Sequence, residues 1–112
     1  MAQQKATSVQ QIFAAMPDRF LPDKTNNVTA TIQFDLTGDD GGQWYIVVQD
    51  KTLQVHEGTA EHPTTTLTMA AQDYLNIING DANSAMLFMQ GKVKASGNLQ
   101  HAMQMQQWFD NS

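Results

Sequence analysis

From Val28 onward apolar and polar residues alternate strictly. Val28, Ala30, Ile32, Phe34 and Leu36 fall on one side, and Thr29, Thr31, Gln33, Asp35 and Thr37 on the other. A period of two over ten residues predicts a strand with one face to the core and the other to solvent. Gly38-Asp39-Asp40-Gly41-Gly42 has the composition of a hairpin loop, and residues 43–49 are rich in β-branched and aromatic types. A second strand should therefore pair antiparallel with the first. Asp50-Lys51 suits a short turn into a third strand over 52–57. A polar stretch ending at Pro63 precedes a fourth strand over 64–69, which would complete a meander.

A helical period flanks the strands. Ser8 with Gln11 forms a capping box, and Val9, Ile12, Phe13 and Met16 recur at helical spacing, so a first helix should run over 8–16 until Pro17 stops it. Tyr74, Leu75, Ile77 and Ile78 make a second stripe that Asn79-Gly80 can terminate. Asn83 or Ser84 can start a third helix through Met89, broken by Gly91. Residues 92–96 read as a short fifth strand, Gly97 permits a sharp turn, and Asn98 is a favoured cap for a last helix over 99–109. The expected fold class is α+β: a five-stranded, mainly antiparallel sheet covered on one face by helices, in the order α-β-β-β-β-α-α-β-α.

The chain has 112 residues, 41% of them apolar, enough for a single domain with one core; residues 1–6 are polar and expected to be disordered. A net charge of −5 with only six Lys and Arg argues against nucleic acid and against an electrostatic anchor on anionic membrane. Any lipid contact should be hydrophobic. Cysteine is absent, which excludes thiol chemistry within these residues. No apolar run approaches the ~20 residues of a spanning helix, so stable membrane insertion is not expected. The end Phe109-Asp110-Asn111-Ser112 lacks the small-basic-leucine peroxisomal address, and the expected location is cytoplasmic.

Met86 and Met89, then Met103 and Met105, concentrate flexible thioethers late in the chain, where they can pack as ordinary core or adapt to an apolar guest. Projected as a helix, Leu99, Ala102, Met103, Met105, Trp108 and Phe109 spread over an arc of about 220°, wider than the ~100° stripe of a simple surface helix. Such a helix contacts more than one thing: the sheet on one flank, and a cavity or another subunit on the other. Gln106 falls within the arc and either satisfies a backbone group or faces a ligand head group. Gln90, at the end of an apolar helix, poses the same choice.

Candidate chemistry is sparse. His56, Glu57, Glu61 and His62 have metal-ligand identities but poor spacing, since neighbours on a strand face opposite ways; no metal site is expected. His101 lies on the polar side of the last helix and should be solvated. No serine sits in a nucleophile elbow, Asp39-Asp40 occupies a turn, and Lys92 and Lys94 share a strand face that solvent or an anionic head group could meet. The chain is not expected to be an enzyme, and no cofactor or catalytic residue is assigned.

The segment Leu87-Phe88-Met89-Gln90-Gly91-Lys92-Val93-Lys94-Ala95-Ser96-Gly97-Asn98, followed by Leu99, Ala102 and Met103, resembles the C-terminal signature of the sterol carrier protein type 2 sterol-binding domain family. The resemblance extends over nearly the whole chain, including the Pro17 to Phe20 exit from the first helix, with a departure at Ala95-Ser96. It implies an apolar tunnel that holds fatty acid, fatty acyl-CoA, sterol or phospholipid without covalent chemistry. It also implies that Gln90 matches the glutamine often found before the signature glycine, and that Met86, Met89 and Met103 lie on helices bordering the tunnel. The expected ligand-binding set is Leu75, Ile78, Met86, Met89, Met103, Met105, Trp108 and Phe109, with Gln90 and Gln106 tuning polarity. The expected function is an intracellular lipid-binding or lipid-transfer protein, a monomer or weak dimer. The alternative is an interaction or dimerisation module whose apolar helix face is covered by a partner protein.

Overall fold

The fold is that of a computed structural model, which describes residues 7–39 and 41–109, with the backbone alone at Gln106. The expectation for residues 1–6, half of the Asp39-Asp40 pair, and the side chain of Gln106 lie outside the described residues. Helix α1 spans Val9–Arg19. Its cap forms through Ser8 Oγ, which accepts from the Gln11 amide at 3.2 Å, while Gln11 Oε1 accepts at 2.8 Å from the Thr7 amide, one residue before the Ser8 amide of a capping box. Pro17 does not end α1. It sits inside the last turn, where its fixed φ suits a helix, and the burial of Met16 holds the residue before it in place.

A 3-10 turn, Pro22–Thr25, leads to strands β1 (Ala30–Thr37), β2 (Gly42–Gln49) and β3 (Thr52–Glu57). The β2–β3 hairpin turns on Asp50 and Lys51, both at positive φ (52° and 61°). That is the backbone of a two-residue turn whose twist matches the flanking strands. Strand β4 (Thr65–Ala70) runs straight into α2 (Ala71–Ile78); α3 (Ser84–Met89), β5 (Lys94–Gly97), α4 (Leu99–Gln104) and a 3-10 turn over Met105–Trp108 follow.

The expected meander stops at β3. The sheet order is β3-β2-β1-β4-β5, with β1–β2, β2–β3 and β4–β5 antiparallel but β1–β4 parallel, so the sheet is mixed rather than mainly antiparallel. Residues 58–64 carry the chain from the β3 edge, across the face opposite the helices, to the far side of β1. Gln33 holds this crossing. It donates to Trp44 O and Gly58 O, each at 3.1 Å, and accepts from the Ala60 amide at 2.7 Å. The alternation assigns Gln33 to solvent with Thr31 and Asp35; only 2% of it is exposed, because the crossing segment lies over it.

The other face carries Ile32, Phe34, Ile46, Val48, Leu67 and Met69, all buried. Against it pack Val9, Ile12, Phe13 and Met16 of α1, Ala71, Tyr74 and Leu75 of α2, and Trp108. Phe13 is the hub, stacked on Trp44 (4.6 Å between centroids, 3° between planes), edge-on to Phe34 at 5.2 Å and 5.8 Å from Tyr74. The exit from α1 is tied to the segment after α4 by an antiparallel bridge between Phe20 and Phe109, with the Leu21 amide donating to Trp108 O at 2.7 Å.

Candidate functional site

The signature segment folds into three local devices. Asn83 Oδ1 accepts from the Ala85 and Met86 amides and starts α3. At its other end the Gln90 amide donates to Met86 O and the Gly91 amide to Phe88 O. With φ +78° at Gly91, the chain then turns back so that the Lys92 amide reaches Leu87 O at 2.9 Å. Val93, expected within the fifth strand, is buried in this turn, and the strand begins only at Lys94. Gly97 has φ +86°, and a side chain there would press on Thr64 O, since an added Cβ would come within 2.3 Å of it. Asn98 Oδ1 caps α4 through the His101 amide, and its own carbonyl accepts from Thr65 Oγ1 at 2.8 Å. The Gly-Asn pair of the signature thus closes β5 onto β4 and starts α4.

The expected ligand-binding residues divide by depth. Leu75 and Trp108 are in the packed core, with Trp108 only 1% exposed; Ile78, Met105 and Phe109 are half-buried against it. Met86, Met89, Gln90 and Met103 lie on the surface. Together with Phe88 and Leu99 the three methionines make a set of exposed large apolar side chains, from 50% exposed at Leu99 to 85% at Met89. Leu87 is half-buried, and no residue of α3 is buried. A two-turn helix held this loosely is drawn from the low-stability end of the structure. The last helix is shorter than expected. It tightens to 3-10 geometry at Met105, which turns Trp108 inward while Leu99 and Met103 stay outside. His101, expected in solvent, is half-buried with its ring edge-on to Trp108 at 6.2 Å.

Lys92 and Lys94 meet Thr37, Thr68, Met69, Ala70 and Asp73 around an open depression of about 370 Å³ at the β4–β5 edge. Asp73 stands among the two cations there, so the depression is not uniformly positive. His56 stacks on Tyr45 at 5.0 Å and bonds Gln54 Oε1 at 3.1 Å. Among the described residues no group of three or more His, Cys, Asp or Glu is placed to hold a metal ion, and no helix is long and apolar enough to cross a membrane.

Tyr74 stands out in the sequence only as one member of an apolar stripe. Its ring packs between Phe13 and Phe34, and its hydroxyl is buried without a hydrogen-bond partner. Burial pushes the phenol well above its ordinary value of 10, because the charged form would lose its hydration. The sign of the consequence follows: above pH ~10 the unfolded chain gives up this proton and the folded chain keeps it, so stability falls as pH rises. Urea midpoints measured between pH 9 and 11 should decline more steeply for the wild-type chain than for Tyr74→Phe.

Comparison with known proteins accords with this fold. Hydroxysteroid dehydrogenase-like protein 2 of Rattus norvegicus is 28% identical over 100 residues, covering 88% of this chain and 19% of that protein, so the chain spans about a fifth of the curated relative's length. The apo structure of Sterol Carrier Protein 2 from Yarrowia lipolytica superposes with a TM-score of 0.76 at 23% identity, over 98% of this chain and 94% of that one. The palmitated form of SCP2L2 from Aedes aegypti superposes with a TM-score of 0.72 at 25% identity, over 88% and 91%. The profile of the SCP-2 sterol transfer family matches residues 9–110, and with a match over nearly its whole length the chain belongs to that family.

Proposed function

We propose that this chain is a non-catalytic lipid-binding and lipid-transfer domain that takes up an apolar ligand beneath α3 and α4. The observation that carries the reading is the exposure of Met86, Phe88 and Met89 on α3 and of Leu99 and Met103 on α4, two short helices whose neighbouring Leu87, Ala102 and Met105 are only partly buried against the core. Exposed apolar side chains so concentrated mark a contact with something apolar. Thioethers adapt to guests of varied shape, and α3 has little to lose by moving. At ~0.8 kcal/mol per buried methylene a long acyl chain supplies ample gross affinity, from which the cost of parting the helices is subtracted. Family membership and the palmitated relative support a fatty acid, acyl-CoA, sterol or phospholipid as guest; a cytoplasmic location is part of the proposal.

Delipidated protein titrated with a fluorescent fatty acid should saturate near one ligand per chain and release it to unlabelled competitors. Replacing Met86 and Met89 together by lysine, both being exposed, should leave the fold intact and weaken uptake by about tenfold or more, since burying a methionine is worth ~1.5–3 kcal/mol. Failure to saturate with the fold intact would remove this reading.

The same exposed side chains support a second reading, in which another copy of the chain or a partner protein covers α3 and α4. Sedimentation would then show a stable dimer that Met103→Asp dissolves.

A further inference from the structure

Among the described residues the buried polar side chains other than Tyr74 are Thr25, Gln33 and Thr65, and each is satisfied within the protein: Thr25 by Pro22 O, Gln33 by the crossing segment, Thr65 by Asn98 O. Two other buried polar atoms lack partners, Asp35 Oδ1 and His101 Nδ1, but both belong to residues that are only half-buried. Tyr74 has no such outlet. It is 3% exposed, its ring lies 5.8 Å from that of Phe13 and 5.5 Å from that of Phe34, and its hydroxyl meets no donor or acceptor. Buried polar groups are hydrogen-bonded in the great majority of proteins, so an orphaned hydroxyl in an aromatic box calls for a partner from outside the chain.

We infer that the Tyr74 hydroxyl is the polar anchor of the lipid site and selects a ligand with a neutral oxygen head group, such as an alcohol, ketone or ester, over an ionised carboxylate. This rests on the lipid-binding reading above. Tyr74 belongs to the same helix as Leu75 and Ile78, and a guest held beneath α3 and α4 would have to part α2 from Phe13 and Phe34 to reach its hydroxyl. The choice of head group follows from charge. Among the described residues no lysine or arginine is buried, and the ring of Tyr74 packs on Phe13 and Phe34, with half-buried Trp44 stacked on Phe13. A buried carboxylate needs a counter-charge or several donors, whereas a neutral oxygen needs one hydrogen bond, which a phenol supplies. A phenol is protonated at physiological pH whether or not it is buried, so the donor is present there.

The test compares delipidated wild-type chain with Tyr74→Phe, using displacement of diphenylhexatriene, a hydrocarbon probe without hydrogen-bonding atoms, by hexadecanol, methyl palmitate and palmitate. Tyr74→Phe should bind the probe within about twofold of wild type. It should bind hexadecanol and methyl palmitate roughly 3- to 10-fold more weakly, the worth of one hydrogen bond. Its urea midpoint at neutral pH should be unchanged or higher, since the substitution removes an unsatisfied group. Equal affinities of the two proteins for hexadecanol, or a wild-type preference for ionised palmitate, would overturn the inference while leaving the lipid site standing. If wild-type protein takes up neither probe nor competitor, the lipid-binding reading falls and the anchor with it.

Discussion

Replacing Phe13 by alanine should lower the unfolding free energy by about 3–5 kcal/mol, the range for deleting a large buried aromatic. The cost is at the upper end because Phe13 is where three elements meet. Its ring is stacked on Trp44 of β2, edge-on to Phe34 of β1 and in contact with Tyr74 of α2. Loss of the ring removes its own transfer energy, leaves a cavity that stiff neighbours cannot fill, and frees Trp44 to rotate. Urea denaturation followed by tryptophan fluorescence reads both effects: an earlier midpoint, and a native-state spectrum shifted toward that of exposed indole. Ile12→Val, on the same helix and also buried, should cost only about 0.5–1.5 kcal/mol, separating the hub from burial in general. A Phe13→Ala chain as stable as Ile12→Val would show that the aromatic cluster does not hold α1 to the sheet.

Gln33→Ala is expected to cost about 2–4 kcal/mol, more than any ordinary polar substitution on a strand. It would leave the Ala60 amide and the carbonyls of Gly58 and Trp44 without their side-chain partner, and residues 58–64 would lose their fixed path across the sheet. Hydrogen exchange at the Ala60 amide should rise ahead of the rest of the chain. Gln33→Glu sharpens the test. Its carboxylate can still accept from Ala60, but it faces two carbonyl oxygens to which only the protonated acid can donate. Folding therefore favours the protonated form, which raises the folded-state pKa above the ~4.3 of the unfolded chain. The Gln33→Glu variant should be most stable near and below that value and lose stability as pH rises toward neutrality. A Gln33→Glu chain whose stability relative to wild type does not change with pH would mean that the crossing segment is held some other way.

These two residues also mark how far the primary structure can be read. Phe13 is legible, because a capped helix with apolar residues at Val9, Ile12, Phe13 and Met16 can bury only one stripe, and Phe13 lies on it. The alternation in β1, the Asp50-Lys51 turn, the Asn83 and Asn98 caps and the glycines at 91 and 97 are legible for the same reason: each is a local preference that no distant contact opposes. Gly97 and Asn98 among them serve the β4–β5 closure and the start of α4.

Gln33 is not legible in this way, because strand periodicity assigns a face and says nothing of what else will cover it. A short crossing segment laid over the polar face turns an expected surface amide into the clasp of the fold. It also places β4 beside β1 in parallel rather than beside β3, a choice made by closure of a segment far along the chain and not by the strand sequences themselves. The methionines depart from expectation in the opposite sense. Their spacing leaves ordinary core packing and an adaptable apolar lining both open; α3 is too short and too weakly anchored to press Met86 and Met89 inward, and the turn to 3-10 geometry at Met105 buries Trp108 while leaving Met103 outside. Periodicity identifies which residues prefer to leave water; only the packed tertiary structure decides which of them find room to do so, and it leaves the Tyr74 hydroxyl buried without a partner.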